Sequence, residues 1–291
     1  MSDQVVTEEL PQITLEKVVA RVEEISTLPQ VALHVLETAS DPESGATELK
    51  RVVEGDPSLS ARVLKMVNSA AYGLARRCEN LHQAISFLGF NQVRNLAMTA
   101  SVSSVFKSGD RIGPYARQGL WKHLLSVGIA ARLVATRCGV KEFEDAFLAG
   151  LLHDIGLIVL DQHAHAHFSA IMTNLDASKT LPENERGVLG FDHTRLGEAL
   201  ANTWRFPEST VAAIRHHHGS DRYKGEWESI VRSVEIANAI CTVKGVTSVG
   251  VKLVRPPLEA FRAAGFNKED IVVLATDLDA EIDRHKDLFE I

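Results

Sequence analysis

The sequence predicts an all-α protein. Apolar residues recur at helical spacing in segment after segment, no segment alternates apolar and polar residues between hairpin turns, and capping residues and glycines fall where those helices start and stop. The expected architecture is a helical bundle with an N-terminal helical subdomain packed against it.

In chain order, Asp56-Pro57 reads as an N-cap followed by proline at the first helical position, with Leu59, Val63, Met66 and Val67 on one face. Asn91 is placed to cap a helix whose apolar face includes Val93, Leu96, Ala97 and Ala100. A helix over 120–137 carries Leu124, Val127, Ala131 and Val134, and Gly139 is positioned to end it. The stretch 142–160 is apolar nearly all round and predicts one central, buried helix. Asp192 caps a helix reaching about Trp204, Pro207 opens the next, another runs over 230–243 to a stop near Gly245, and an amphipathic helix over 268–287 closes the chain. The glycine- and charge-containing stretch 107–114 is the best internal boundary, and it is short enough that the parts on either side should pack together.

Composition excludes several classes. The chain has 291 residues, 45% hydrophobic and 24% charged, ordinary values for a globular protein. A net charge of -7 argues against broad nucleic-acid binding. Arg51, Arg62, Lys65, Arg76, Arg77 and Arg94 read better as a solvated face than as a nucleic-acid footprint. Cys78, Cys138 and Cys241 form no close pair and read as buried thiols of a reducing compartment. No stretch approaches the roughly 20 apolar residues needed to span a bilayer, and Ser2, Asp3, Glu8 and Glu9 are unlike a secretory signal, so a cytoplasmic location is expected.

The chemistry lies in the histidines. Eight of the twelve fall between His153 and His218. An imidazole and a carboxylate in the apolar run around His153-Asp154 cost several kcal/mol unless paired or ligated. Adjacent helical residues diverge by about 100° and share a partner only at a seam between helices. A metal ion meets that need, with His123, His193 and the His217/His218 pair completing its shell. Iron, manganese, nickel or zinc suit such a donor set better than calcium, and a bound ion could activate water against a phosphoester. The alternative is a buried structural ion pair of His153 and Asp154 with His123 beside it. His163, His165 and His167 read as a solvated polar stretch, with adventitious metal binding as the sharper alternative. Trp121, Trp204 and Trp227 read as packing anchors rather than a base-stacking platform.

Leu152-His153-Asp154-Ile155-Gly156 resembles the motif of the HD superfamily of metal-dependent phosphohydrolases. The order of Leu28-Pro29, Glu48-Leu49, Asp56-Pro57-Ser58-Leu59, Asn68-Ser69-Ala70-Ala71-Tyr72-Gly73 and Leu88-Gly89, then His123, His153-Asp154, Asp192-His193, Trp204, Pro207 and His217-His218, is similar to the HD-related output domain, HDOD. The resemblance runs over roughly 20–245. It implies an extension over 1–20, an HDOD module over 21–245 (a helical part over 21–108 and an HD-like bundle over 115–245) and a C-terminal helical extension over 246–291. HDOD modules resemble cyclic di-GMP phosphodiesterases of the HD-GYP type but are generally regarded as regulatory or scaffolding units of bacterial signalling.

Three departures from the hydrolase pattern matter. Leu157 stands where the enzymes carry a lysine that can steady phosphate charge. The late metal-ligand aspartate falls at Asn238, with Glu235 one helical turn earlier as a substitute. Gly219-Ser220-Asp221-Arg222-Tyr223 lacks the glycine-tyrosine-proline signature. The resemblance therefore implies a non-catalytic signalling module with a degenerate metal site. It would act on signalling proteins in trans, as a monomer or a homodimer, since no receiver, kinase or cyclase segment is attached. The alternative is a phosphohydrolase acting on a nucleotide or cyclic dinucleotide.

Overall fold

The computed structural model describes residues 10–24, 27–40, 45–107, 109 and 111–289. Ser2, Asp3, Glu8 and Glu9, and Ser108 and Asp110 of the expected boundary, lie outside the described residues. The chain is helical throughout: α1 (Leu15–Glu24), α2 (Gln30–Ser40), α3 (Ala46–Glu54), α4 (Pro57–Val67), α5 (Leu81–Leu88), α6 (Phe90–Val102), α7 (Arg117–Arg137), α8 (Phe143–Leu152), α9 (Ile155–His163), α10 (His165–Thr173), α11 (Leu181–Leu189), α12 (His193–Thr203), α13 (Glu208–His216), α14 (Glu228–Val243), α15 (Leu258–Ala263) and α16 (Lys268–Arg284). Among the described residues the sole β feature is a bridge between Ile112 and Tyr115. No helix among them is long and apolar enough to cross a membrane.

Local chemistry sets the boundaries. Asp56 Oδ1 accepts hydrogen bonds from the Ser58 and Leu59 amides at 2.9 and 3.0 Å, starting α4 behind Pro57. Gly139 and Gly245 take left-handed conformations just past α7 and α14. Asn91 is not a cap: α6 begins at Phe90, after Gly89 at φ +85, because a glycine can make that turn at no steric cost. The stretch 142–160 is not one helix. It breaks at His153-Asp154, where Asp154 leaves helical geometry (φ -102, ψ 21). Two adjacent side chains cannot point at one centre from a continuous helix, and the break re-aims them.

Helix α7 is the axis of the bundle, packed most extensively against α8 and α14 and also against α16. Its approach to α8 is backbone on backbone: a methyl group added at Gly150 would lie 2.8 Å from the Val127 carbonyl oxygen. This crossing brings His123 of α7 towards the end of α8. Helices α12 and α13 pack on α9 and α8. A methyl group at Gly156 would lie 2.1 Å from the carbonyl oxygen of His193, so the starts of α9 and α12 touch.

The N-terminal helices join this bundle through α6. Arg94, buried rather than solvated, pairs with Asp145 at 2.9 Å, and the Asn95 amide donates to the Glu144 carboxylate at 2.7 Å. Arg94 is buried because it faces α8 and finds its counter-charge there. Arg62 also turns inward, donating to the Ala100 carbonyl at 2.6 Å, whereas Lys65, Arg76 and Arg77 are exposed. Asn68, from the most specific element of the resemblance, bonds both the amide (2.7 Å) and the carbonyl (2.8 Å) of Cys78 and so pins the loop after α4. Cys78 and Cys241 are buried, but Cys138 is exposed because it sits at the end of α7. Trp121 packs against Phe106 and Trp204 against Phe206.

Candidate metal centre

Five chain segments deliver six side chains to one point. His123 comes from the middle of α7, His153 from the end of α8, Asp154 from the break before α9, His193 from the first residue of α12, and His217 and His218 from the end of α13. Asp154 belongs to two sets whose donor atoms all lie within 4.8 Å of one another: one with His123 and His153, the other with His193, His217 and His218. Its two oxygens divide the sets. Oδ2 faces Nε2 of His153 at 3.2 Å and of His123 at 3.7 Å, and Oδ1 faces Nε2 of His193 at 3.1 Å and of His217 at 3.2 Å.

The outer nitrogens fix the rings. Nδ1 of His123 lies 2.8 Å from the Val246 carbonyl, that of His153 2.7 Å from the Gly150 carbonyl, and that of His217 3.0 Å from the Ile214 carbonyl. Carbonyl oxygens only accept, so these Nδ1 atoms carry the protons and the Nε2 lone pairs face inward. The result is a convergence of acceptors, buried except at the half-buried His218. Nε2 of His123, Nε2 of His153 and Oδ1 of Asp154 are shielded from water and make no hydrogen bond. Such groups are costly when left bare, and a cation among them removes the cost. The donor set therefore fits a divalent transition metal.

Electrostatics agree with that polarity at His123, His217 and His218. Burial lowers the His123 pKa to about 4. Burial likewise takes His217 to about 4 and His218 well below the ordinary imidazole value. His193 goes the other way: burial opposes its charge, but the Glu185 and Asp154 carboxylates outweigh burial and hold it well above the usual value. Burial also opposes ionisation of Asp154, yet the surrounding histidines keep it well below the usual carboxylate range.

Glu185 of α11 is the functional residue that sequence reasoning missed. It is wholly buried and accepts hydrogen bonds from Nδ1 of His193 at 2.6 Å and from the His193 amide at 3.0 Å. The weak signal available was a glutamate eight residues before a capped histidine.

Asn238 is buried on α14, its amide oxygen 3.4 Å from the Thr242 hydroxyl. Glu235 is not brought into either donor set. Its carboxylate instead accepts from the amide and hydroxyl of Ser220, at 3.0 and 2.5 Å. The His163, His165 and His167 stretch is solvated only at His165. His163 contacts the Thr27 hydroxyl at 2.9 Å, and His167 is buried with Nε2 2.8 Å from the Pro11 carbonyl. Pro11 before α1 covers His167 and Thr27 after α1 covers His163, which their alternation could not reveal.

A cleft of about 650 Å³ opens on His217 and His218, walled by Arg215, Arg222, Glu235 and Arg255.

Comparison with known proteins gives a consistent set of likenesses. The sequence profile of the HDOD domain matches residues 25–220. The fold is similar to an HDOD domain protein of unknown function from Geobacter sulfurreducens, with 26% identity and a TM-score of 0.75 over 94% of this chain and 96% of that one. A protein of Marinobacter aquaeolei VT8 provisionally named for signal transduction is 26% identical with a TM-score of 0.71, covering 98% of this chain and 62% of that one. An uncharacterized protein of Treponema pallidum (strain Nichols) is 27% identical over 221 residues, 75% of this chain, and the chain spans 42% of that relative's length.

Proposed function

This chain belongs to the HDOD family, and from that membership we propose that it is a signal-transduction module acting through protein partners, with a metal centre that serves structure and regulation rather than hydrolysis. The observation that carries this reading is closure. Five of the six donors are sealed, His123, His153, His193 and His217 at 0% exposed and Asp154 at 2%, with only His218 half-buried at the cleft, and closed sites are the mark of structural metals, whereas catalytic ones keep a wider position open to substrate. Leu157 supports it: the side chain at the position of the hydrolase lysine is fully buried in the apolar core.

His123, His153, Asp154, His193, His217 and His218 would hold the ion, with Asp154 common to both sets. Iron, manganese, nickel and zinc all suit these donors. The module acts on signalling proteins in trans, as a monomer or a homodimer. Elemental analysis of untagged protein, paired with a phosphodiesterase panel, tests the reading. Stoichiometric transition metal without turnover is expected, and robust turnover of a cyclic dinucleotide overturns it.

A second reading, a phosphohydrolase, is favoured by one observation: the cleft beside His217 and His218 carries Arg215 and Arg222, cations suited to a phosphate group. A bound metal would supply an activated water there. On this reading the panel yields metal-dependent turnover that His218→Ala abolishes.

A further inference from the structure

The segment that starts at Val246 orients a candidate ligand from outside the family-matched region, because its carbonyl takes the Nδ1 proton of His123. The same segment forms one wall of a cavity of about 720 Å³ behind α7. That volume lies within the roughly 300–1,000 Å³ typical of small-molecule sites.

The lining has two kinds of surface. Lys122 and Ser126 flank His123 on α7, one helical turn apart, and Lys286 faces them from the chain end. Ser126 is 1% exposed, and its side chain lines the cavity. Lys122 and Lys286 make no ion pair among the described residues, and Asp283, the acid in the lining, pairs with neither. Ile282 and Phe289 supply apolar wall. A hydroxyl on the cavity wall, two ammonium groups without an ion pair and an apolar surface together describe the complement of one ligand class.

We propose that this cavity binds an organic anion with an apolar body, its head group on Lys122, Ser126 and Lys286 and its body against Ile282 and Phe289. Ligand contact with Val246 couples the cavity to the ring of His123. That coupling, unlike the binding itself, rests on the metal reading above.

Calorimetric titration of the metal-free full chain with octanoate tests the binding, with octanol as the uncharged body and acetate as the bare head group. Saturable binding of octanoate is expected, with both controls at least about tenfold weaker, the factor carried by one charge-assisted hydrogen bond. The exposed pair Lys122→Gln and Lys286→Gln should weaken octanoate by a similar factor, and Ser126→Ala by about fivefold. Equal affinity for octanol, or an unchanged double variant, overturns the site. Saturating octanoate should also shift the Mn²⁺ dissociation constant at least about twofold, a small coupling by the usual scale. An unshifted constant overturns the coupling. A chain that takes up no metal removes the coupling together with the metal reading, while the calorimetric result still decides the site.

Discussion

Glu185 grips His193 twice, through Nδ1 at 2.6 Å and through the main-chain amide at 3.0 Å, with both side chains sealed from solvent. Replacing Glu185 with glutamine keeps the volume but removes the charge that raises the His193 pKa. Metal affinity should fall about 10- to 100-fold, the range for loss of a group that orients a ligand histidine. Competition with a chelator of known affinity measures it, and unchanged affinity would deny Glu185 that role.

Metal-free protein should lose stability between pH 7 and pH 5. His123 and His217, lowered to about 4 in the fold from 6.5, contribute stability above pH 6.5 that disappears as pH falls towards 4. His193, raised in the fold, contributes stability that is complete below pH 6.5 and fades as pH rises through its folded pKa. His218, also held below the usual value, adds to the same side, and three histidines outweigh one, so Tm should drop by roughly 5 °C or more on going from pH 7 to pH 5. A flat or rising Tm, read by circular dichroism, would contradict the assigned polarity.

Metal should reverse that loss. Binding to the folded chain alone adds about 2.7 kcal/mol at 100 times the dissociation constant, worth several degrees of Tm. Mn²⁺ or Zn²⁺ added to chelator-treated protein should raise Tm, and His153→Ala should abolish the rise. Equal shifts in parent and variant would place the ion elsewhere.

Gly156→Ala should be severe. The added methyl group would sit 2.1 Å from a main-chain oxygen of His193, which no side-chain rotation relieves. A loss of about 1–3 kcal/mol is expected, together with weaker metal binding, because α9 and α12 must separate. Denaturant unfolding would show the first and chelator competition the second.

Asn68→Ala should also destabilise, by about 1–3 kcal/mol, because it strips the amide and carbonyl of Cys78 of their partners. Metal affinity should be untouched, since Asn68 lies in the N-terminal helices. A variant that loses metal as well would show that the two regions are linked more tightly than their contacts suggest.

Much of this was legible from the chain. Helical periodicity and capping chemistry gave the all-α class and the bounds of α4, α7 and α14, because those signals are local. His153-Asp154 pointed to a shared centre, because a charged pair in an apolar run demands a partner. The break at that pair stayed hidden, because apolar residues on both sides of it mimic one continuous helix. Glu185 lay in a helix of polar appearance, and only tertiary packing buries it. Arg94 looked solvated until α8 supplied Asp145 and Glu144. The Val246 carbonyl is a backbone atom, which no residue identity announces.

The Arg94–Asp145 pair carries a last consequence, for how the protein comes apart. Arg94 is 3% exposed and its counter-charge Asp145 lies on α8, so parting the two regions breaks that pair and opens the α6–α8 packing around it. The two helical regions should therefore melt in a single step, and a fragment cut at the 107–114 connection should aggregate rather than survive alone.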